Sequence, residues 1–224
     1  MKNLAIVLLF LSGSLFAQNP ITTNLGDFNE LKVYNGLTVK LVKSNDAKIE
    51  ISGSKSDDVS IKNSDGVLKV RLKFPESFTG ENIAIVLYYT KNIATLDANE
   101  GAQIISDETL NQQHLEVKVQ EGAKIDLDVT TKHLVVKTVS GGIITLNGTS
   151  DNQTVDANTG GIYYGFNLNS KQTTVVSAAG STAEVRASEI LDAKAQFGGT
   201  ILYKGSPEVL KSKTLVKGTI KYMN

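Results

Sequence analysis

The sequence predicts an all-β chain wound as a β-solenoid of about 20 residues per coil. A glycine followed by a small residue recurs at Gly101-Ala102, Gly122-Ala123, Gly141-Gly142, Gly160-Gly161, Gly180-Ser181, Gly198-Gly199 and Gly218-Thr219, at spacings of 21, 19, 19, 20, 18 and 20 residues. Around each first glycine, apolar and small residues fall on alternate positions, which is the period of a strand and not of a helix. Neither short strand of a unit has a hairpin partner nearby. Each must therefore pair with its equivalent one repeat away, parallel, in register and ~4.8 Å apart.

Taken in order, residues 1–17 read as a secretory leader. Lys2 supplies the positive start, Leu4 to Leu11 the apolar stretch and Ala17 the small residue before a cut. The apolar stretch falls short of the roughly 20 residues a membrane span needs, so the mature chain is expected to have no span. Residues 18–27 are expected to be a linker and 28–224 one domain. Within it, residues 28–90 read as β-rich capping strands, with Leu37-Val39-Leu41, Ile49-Ile51, Leu68-Val70-Leu72 and Ile83-Ile85-Leu87 alternating and Asp65-Gly66 marking a hairpin. Residues 91–224 are the repeated coils, each read as strand, glycine corner, strand and polar loop. Inward positions before the corner include Leu115, Val117 and Val119, then Leu134, Val136 and Thr138, then Gln153, Val155 and Ala157. The parallel crossover rule favours right-handed winding.

Composition narrows function. The chain has 224 residues, no cysteine, and 23 basic against 23 acidic side chains. This excludes disulfide staples, zinc-thiolate and iron–sulfur sites, and a cysteine nucleophile. Zero net charge argues against a partner bound by broad phosphate neutralisation, hence no nucleic acid. An exported chain without disulfides fits a bacterial envelope. The neutral total is nevertheless uneven: residues 28–73 hold nine basic and six acidic groups, 97–128 hold eight acidic and two basic, and 204–221 hold five lysines against Glu208.

The run Asp27-Phe28-Asn29-Glu30-Leu31-Lys32-Val33, then Gly36-Leu37-Thr38-Val39-Lys40-Leu41, Ile49-Glu50-Ile51-Ser52-Gly53 and Asp65-Gly66-Val67-Leu68-Lys69-Val70, followed by the glycine-rich coils, resembles the head GIN domain family of auto-transporter adhesins. The resemblance covers nearly the whole mature chain. It implies an exported domain of a Gram-negative envelope, at the cell surface, in the periplasm or secreted. It brings no catalytic residues and no cofactor.

Several constellations were weighed for chemistry. His114 and His133 are one repeat apart and each precedes a similar strand, so they should stack; a metal pair is weighed against a solvent-facing ladder, and no third ligand is evident. Asp126 and Asp128 alternate on one face and Glu100 and Glu121 stack one coil apart; either pair could be read as glycosidase acid and base or as a calcium site, against solvated charge. Long insertions that would wall a cleft are missing. Of the aromatic cluster Tyr163, Tyr164 and Phe166, Tyr163 should point inward and Tyr164 outward, which makes Tyr164 a candidate for stacking on a sugar or partner. Lys211, Lys213, Lys217 and Lys221 form a candidate basic tip for anionic sugars. The residues favour an exported non-enzymatic binding module that presents flat solenoid faces to a glycan or protein. The alternatives are a polysaccharide-active β-helix lyase or hydrolase, and an envelope assembly or stress accessory protein. The sequence does not fix the oligomeric state.

Overall fold

The computed structural model describes residues 20–73 and 82–224. The leader expected over residues 1–17 lies outside the described residues, as do residues 18 and 19 of the expected linker. The chain opens with β1 (Ile21–Asn24), β2 (Glu30–Val33), β3 (Thr38–Lys43) and β4 (Lys48–Ser52), makes a turn of 3-10 helix at Ser56–Asp58, and continues with β5 (Val59–Ser64), β6 (Val67–Leu72) and β7 (Ala84–Tyr89). There follow β8 (Thr95–Ala98), β9 (Gln103–Ser106), β10 (Leu110–Val119), β11 (Lys124–Thr138), β12 (Ile143–Ala157), β13 (Ile162–Tyr164), β14 (Leu168–Ala178), β15 (Thr182–Gln196), β16 (Thr200–Lys204), β17 (Val209–Leu215) and β18 (Thr219–Tyr222). All join one 18-stranded sheet, wound as a β-solenoid of about 7 turns with ~19 residues per coil.

Pairing is parallel and in register from coil to coil. Leu115 stands on Leu134 and Val117 on Val136; Ile125 stands on Ile144, and Ile144 on Tyr163. Each core residue therefore packs against its own equivalent above and below. One column runs Leu68, Leu31, Leu96, Val117, Val136, Val155, Val175, Ala193 and Ser212. Its members narrow along the axis, and every one up to Ala193 is buried. Burying a Leu or Val side chain stabilises by about 1.5–3 kcal/mol, so the leucine end carries the larger share. Thr138, Gln153, Thr173 and Ser177 also point inward, as the alternation predicts.

The corners are tight turns of the I′ kind. Both central residues have positive φ, as in Glu100 (54°) with Gly101 (72°) and Thr159 (46°) with Gly160 (70°). A hydrogen bond closes each turn, from Ala102 N–H to Asn99 C=O (3.0 Å) and from Gly161 N–H to Asn158 C=O (2.9 Å). In the Gly-Gly pairs, Gly141-Gly142, Gly160-Gly161 and Gly198-Gly199, the two residues are glycine for different reasons. A Cβ on Gly160 would meet nothing within 4 Å, so its demand is conformational; a Cβ on Gly161 would lie 2.5 Å from the Thr138 carbonyl oxygen of the coil beneath.

Three expectations are corrected. The last corner is not Gly218-Thr219 but Val216-Lys217, both at positive φ (40° and 61°). Gly218 holds the close-approach position, where a Cβ would lie 2.2 Å from the Ala195 carbonyl oxygen, so the sequence pair there is one residue out of phase. The polar loop between strands is present between β9 and β10, β13 and β14, and β16 and β17, but in the other coils it is replaced by a bend inside one continuous strand: β11, β12 and β15 each run for 15 residues. Finally, the strands of residues 28–90 lie together at one end of the stack but are not layered in chain order. β2 lies between β6 and β8, and β3 between β7 and β9, all parallel. The outermost layer is made by β6 and β7, to which β5 and β4 pair antiparallel. β1, inside the expected linker, extends β4. Antiparallel strands thus end the stack here in place of a further coil.

The two glycine roles make separable predictions. Gly160→Ala should lower stability by about 1 kcal/mol through the left-handed backbone alone. Gly161→Ala should cost more, about 1–3 kcal/mol or above, because backbone must move. Urea midpoints measured on both variants check the order; equal midpoints would refute the distinction.

Candidate functional site

The bends position the one large groove among the described residues. Strands normally alternate in and out, yet β10, β11 and β14 carry two consecutive exposed residues, Gln113-His114, Lys132-His133 and Lys171-Gln172, and the alternation changes phase there. A buried polar side chain precedes each pair. Gln112 Nε2 donates to the carbonyl of His114 (2.6 Å), Ser150 Oγ to that of Asn152 (2.9 Å) and Ser170 Oγ to that of Gln172 (2.8 Å). Thr131 Oγ1 donates to Ser150 Oγ (3.0 Å), which ties adjacent coils together. These side chains satisfy backbone carbonyls that the bend would otherwise strand.

Stacked bends make a groove of about 1050 Å³ along the axis. Gln112, Thr131, Ser150 and Ser170 form its floor. On one side stands a column of small polar side chains, Asn111, Thr130, Thr149 and Asn169, in register on successive coils. The column is continued by Arg186 and Lys204, which are also in register. The other side carries Lys132, Asp151 and Lys171. Lys171 Nζ holds Asp151 Oδ1 at 2.7 Å. That hydrogen bond and the Lys171 charge, with smaller help from Lys132 and His133, keep the Asp151 carboxyl below the usual carboxylate range despite some desolvation. Among the described residues, Asp151 is the only carboxylate side chain lining the groove.

The residues singled out from sequence lie elsewhere. Tyr163 is fully buried and accepts a hydrogen bond from Gln153 Nε2, while Tyr164 is 42% exposed, as alternation predicts. Tyr164 does not line the groove. Lys211 and Lys213 on β17, Lys217 at the last corner and Lys221 on β18 are all exposed on the terminal coil, outside the groove. His114 and His133 stack with ring centroids 4.9 Å apart and planes 10° apart, and among the described residues no three His, Cys, Asp or Glu side chains converge on one point. Asp128 accepts a hydrogen bond from Asn147 Nδ2 (2.9 Å) beside Asp126. Glu100 and Glu121 are corner residues in the left-handed region, and Glu100 takes a hydrogen bond from Asn35. The groove escapes a search for insertions because folded strands, not loops, wall it. Its signal was nevertheless present, as a polar column at spacings of 19, 19 and 20 residues.

On the coil face beyond the bend, Glu116 bridges Lys137 on the next coil (2.8 Å) and Lys118 on its own strand (3.6 Å). Burial alone would push its carboxyl up, but the Lys137 hydrogen bond and the two lysine charges together bring it below the ordinary 4.5. A depressed folded value gives stability that is present above pH 4.5 and is lost as pH falls through the folded value. The melting temperature should therefore drop in that acid window, and Glu116→Gln should flatten that part of the profile. A variant profile as steep as the parent's would show the ion pairs to be idle.

Comparison with known proteins follows from this geometry. A family model described as "Putative auto-transporter adhesin, head GIN domain" matches residues 27–207. No curated protein matches the chain. Among solved structures, a "putative adhesin" from Bacteroides fragilis superposes with a TM-score of 0.78 at 18% identity, covering 92% of this chain and 98% of that one. A "putative lipid binding protein" from Parabacteroides distasonis gives 0.67 at 18% identity, covering 92% and 98%. A "putative adhesin" from Parabacteroides merdae gives 0.67 at 20%, covering 92% and 95%. At these identities the likeness is one of fold, and it extends over nearly the whole chain.

Proposed function

We propose that this chain, which belongs to the auto-transporter adhesin head GIN domain family, is an exported, non-enzymatic, adhesin-like module whose axial groove takes an extended glycan. The observation that carries the reading is the groove itself: amide and hydroxyl side chains repeated once per coil, on strands whose bends are locked by buried hydrogen bonds. The rungs recur every ~4.8 Å, a spacing of the order of one sugar ring along a polysaccharide. Amides and hydroxyls match sugar hydroxyls as donors and acceptors, and the threonine methyls offer small apolar ledges to the C–H faces of the rings. A site on locked strands loses little conformational freedom on binding. The flat-face presentation read from the sequence is replaced by this concave one. The single ion-paired carboxylate in the groove favours holding a glycan over cleaving it.

The terminal coil supplies a second contact surface in this reading. Lys211, Lys213, Lys217 and Lys221 form a basic tip toward anionic envelope sugars, and Tyr164 is an outward ring for stacking. The leader motif read at residues 1–17 supports work outside the cytoplasm, in the envelope, at its surface or beyond.

A glycan and matrix-protein array with the purified protein tests the reading. Retention of extended glycans without their cleavage is the expected result. Neutralising the four lysines to glutamine should weaken retention and reduce its salt sensitivity. Release of shortened sugars from any bound polysaccharide would overturn the non-enzymatic reading, and unchanged retention by the lysine variant would remove the tip from it.

A further inference from the structure

The groove is not electrically uniform. Four cationic side chains line it, Lys132, Lys171, Arg186 and Lys204, against Asp151, in a chain whose total charge is zero. Asp151 is committed to Lys171. The remaining imbalance is concentrated at one end, where Arg186 on β15 and Lys204 on β16 are in-register neighbours on the outward face. Like charges directly opposite one another on adjacent strands work against pairing.

Neither cation has a carboxylate partner within ion-pair distance among the described residues. Arg186 makes one hydrogen bond, from Nη1 to Asn169 Oδ1 at 3.2 Å, and that acceptor is neutral. Its Nε is buried without a partner, and it is the only buried side-chain polar atom so left among the described residues. Lys204 Nζ lies 5.0 Å from the centroid of the Phe166 ring. Glu184, two residues before Arg186 on the same strand face, feels the Lys204 charge without forming an ion pair with it. The chain has two arginines, and one of them stands here half-buried and short of partners. A guanidinium is a planar fork suited to two-point capture of a carboxylate or sulfate, which a lysine column alone would not provide.

We propose that Arg186 and Lys204 form an anion subsite at this end of the groove, so that the ligand is an acidic glycan bearing carboxylate or sulfate groups. The anionic substituent pairs with the Arg186 guanidinium, with Lys204 beside it, while the neutral column from Asn111 to Asn169 holds the sugar hydroxyls further along. The anion relieves the like-charge contact that the free protein carries. This subsite rests on the groove reading above and specifies its ligand class.

Calorimetric titration of the purified protein with polygalacturonate, its fully methyl-esterified form, dextran sulfate and poly-glutamate tests both levels. Polygalacturonate should bind about tenfold or more tightly than its methyl ester. Arg186→Gln should abolish that preference, bringing the acid-to-ester affinity ratio to about one, and Arg186→Lys should restore it only in part. Circular dichroism and melting curves identical to the parent's show that the variants are folded. Comparison of polygalacturonate with dextran sulfate distinguishes carboxylate from sulfate as the anion. If the acid and ester forms bind alike, or Arg186→Gln keeps the preference, the anion subsite falls and the groove reading stands. Tighter binding of poly-glutamate than of either acidic glycan overturns the glycan class. Should none of the polymers bind, the groove reading fails and takes the subsite with it.

Discussion

Every other feature depends on one constraint, the parallel in-register stacking of equivalent residues at the strand spacing of ~4.8 Å. Because each coil lies directly on the last, the carbonyl of one corner strand projects under the residue that follows the next corner. That contact fixes Gly161 and Gly218, whose Cβ atoms would strike it at 2.5 and 2.2 Å. The same stacking extends hydrogen bonding through the corners themselves. Gly101 N–H donates to Glu121 C=O (2.9 Å), and Gly160 N–H to Ala179 C=O (3.1 Å). The left-handed backbone at Glu100, Thr159 and their equivalents is thus the conformation that keeps the ladder unbroken around a sharp turn, and the ladder offsets its strain.

In a chain without cysteine, such columns are the main source of cohesion. They are unequal along the axis. The end formed by β6 and β7 is rich in leucine and isoleucine and is closed by the antiparallel strands β1, β4 and β5. The opposite end tapers to alanine, and β17 is exposed along its whole length. Repeat stacks gain stability from each nearest-neighbour interface, and the last coil has only one. Lysines on that coil keep its open edge soluble and discourage strand addition, a structural service that is independent of any contact with sugars.

The sequence announces what repeats and hides what does not. Spacing and alternation are one-dimensional signals, so the coil period, the inward Thr138 and Gln153, and the opposed directions of Tyr163 and Tyr164 are all legible. The corner at Val216-Lys217 is not, because the glycine that marks it stands one position late for a packing reason. The path of residues 28–90 is also hidden: β2 and β8 are in-register neighbours although more than sixty residues separate them, and no local pattern encodes which strand closes an end. In sequence the bend looks like a loop, because two consecutive polar residues interrupt the alternation and the burial of Thr131, Ser150 and Ser170 beside them is visible only in the fold. The groove was missed with it, since its walls are strand residues that a search for long insertions passes over.

Stacking also changes what a charged residue signifies. On an isolated strand a lysine or arginine is solvated at little cost, and its presence says little. In a solenoid its nearest neighbours are set by the column, one coil above and one below. The Lys132, Asp151 and Lys171 side of the groove follows the economical arrangement, with opposite charge between two like ones. The opposite wall breaks that order where Arg186 meets Lys204. Lysine also stands on lysine at Lys118–Lys137 and Lys194–Lys213; what sets Arg186 apart is that its like-charged contact lies in the groove and that its buried Nε has no partner. The neutral total charge conceals this. On a stacked fold, net charge matters less than the order in which the charges follow one another along a column.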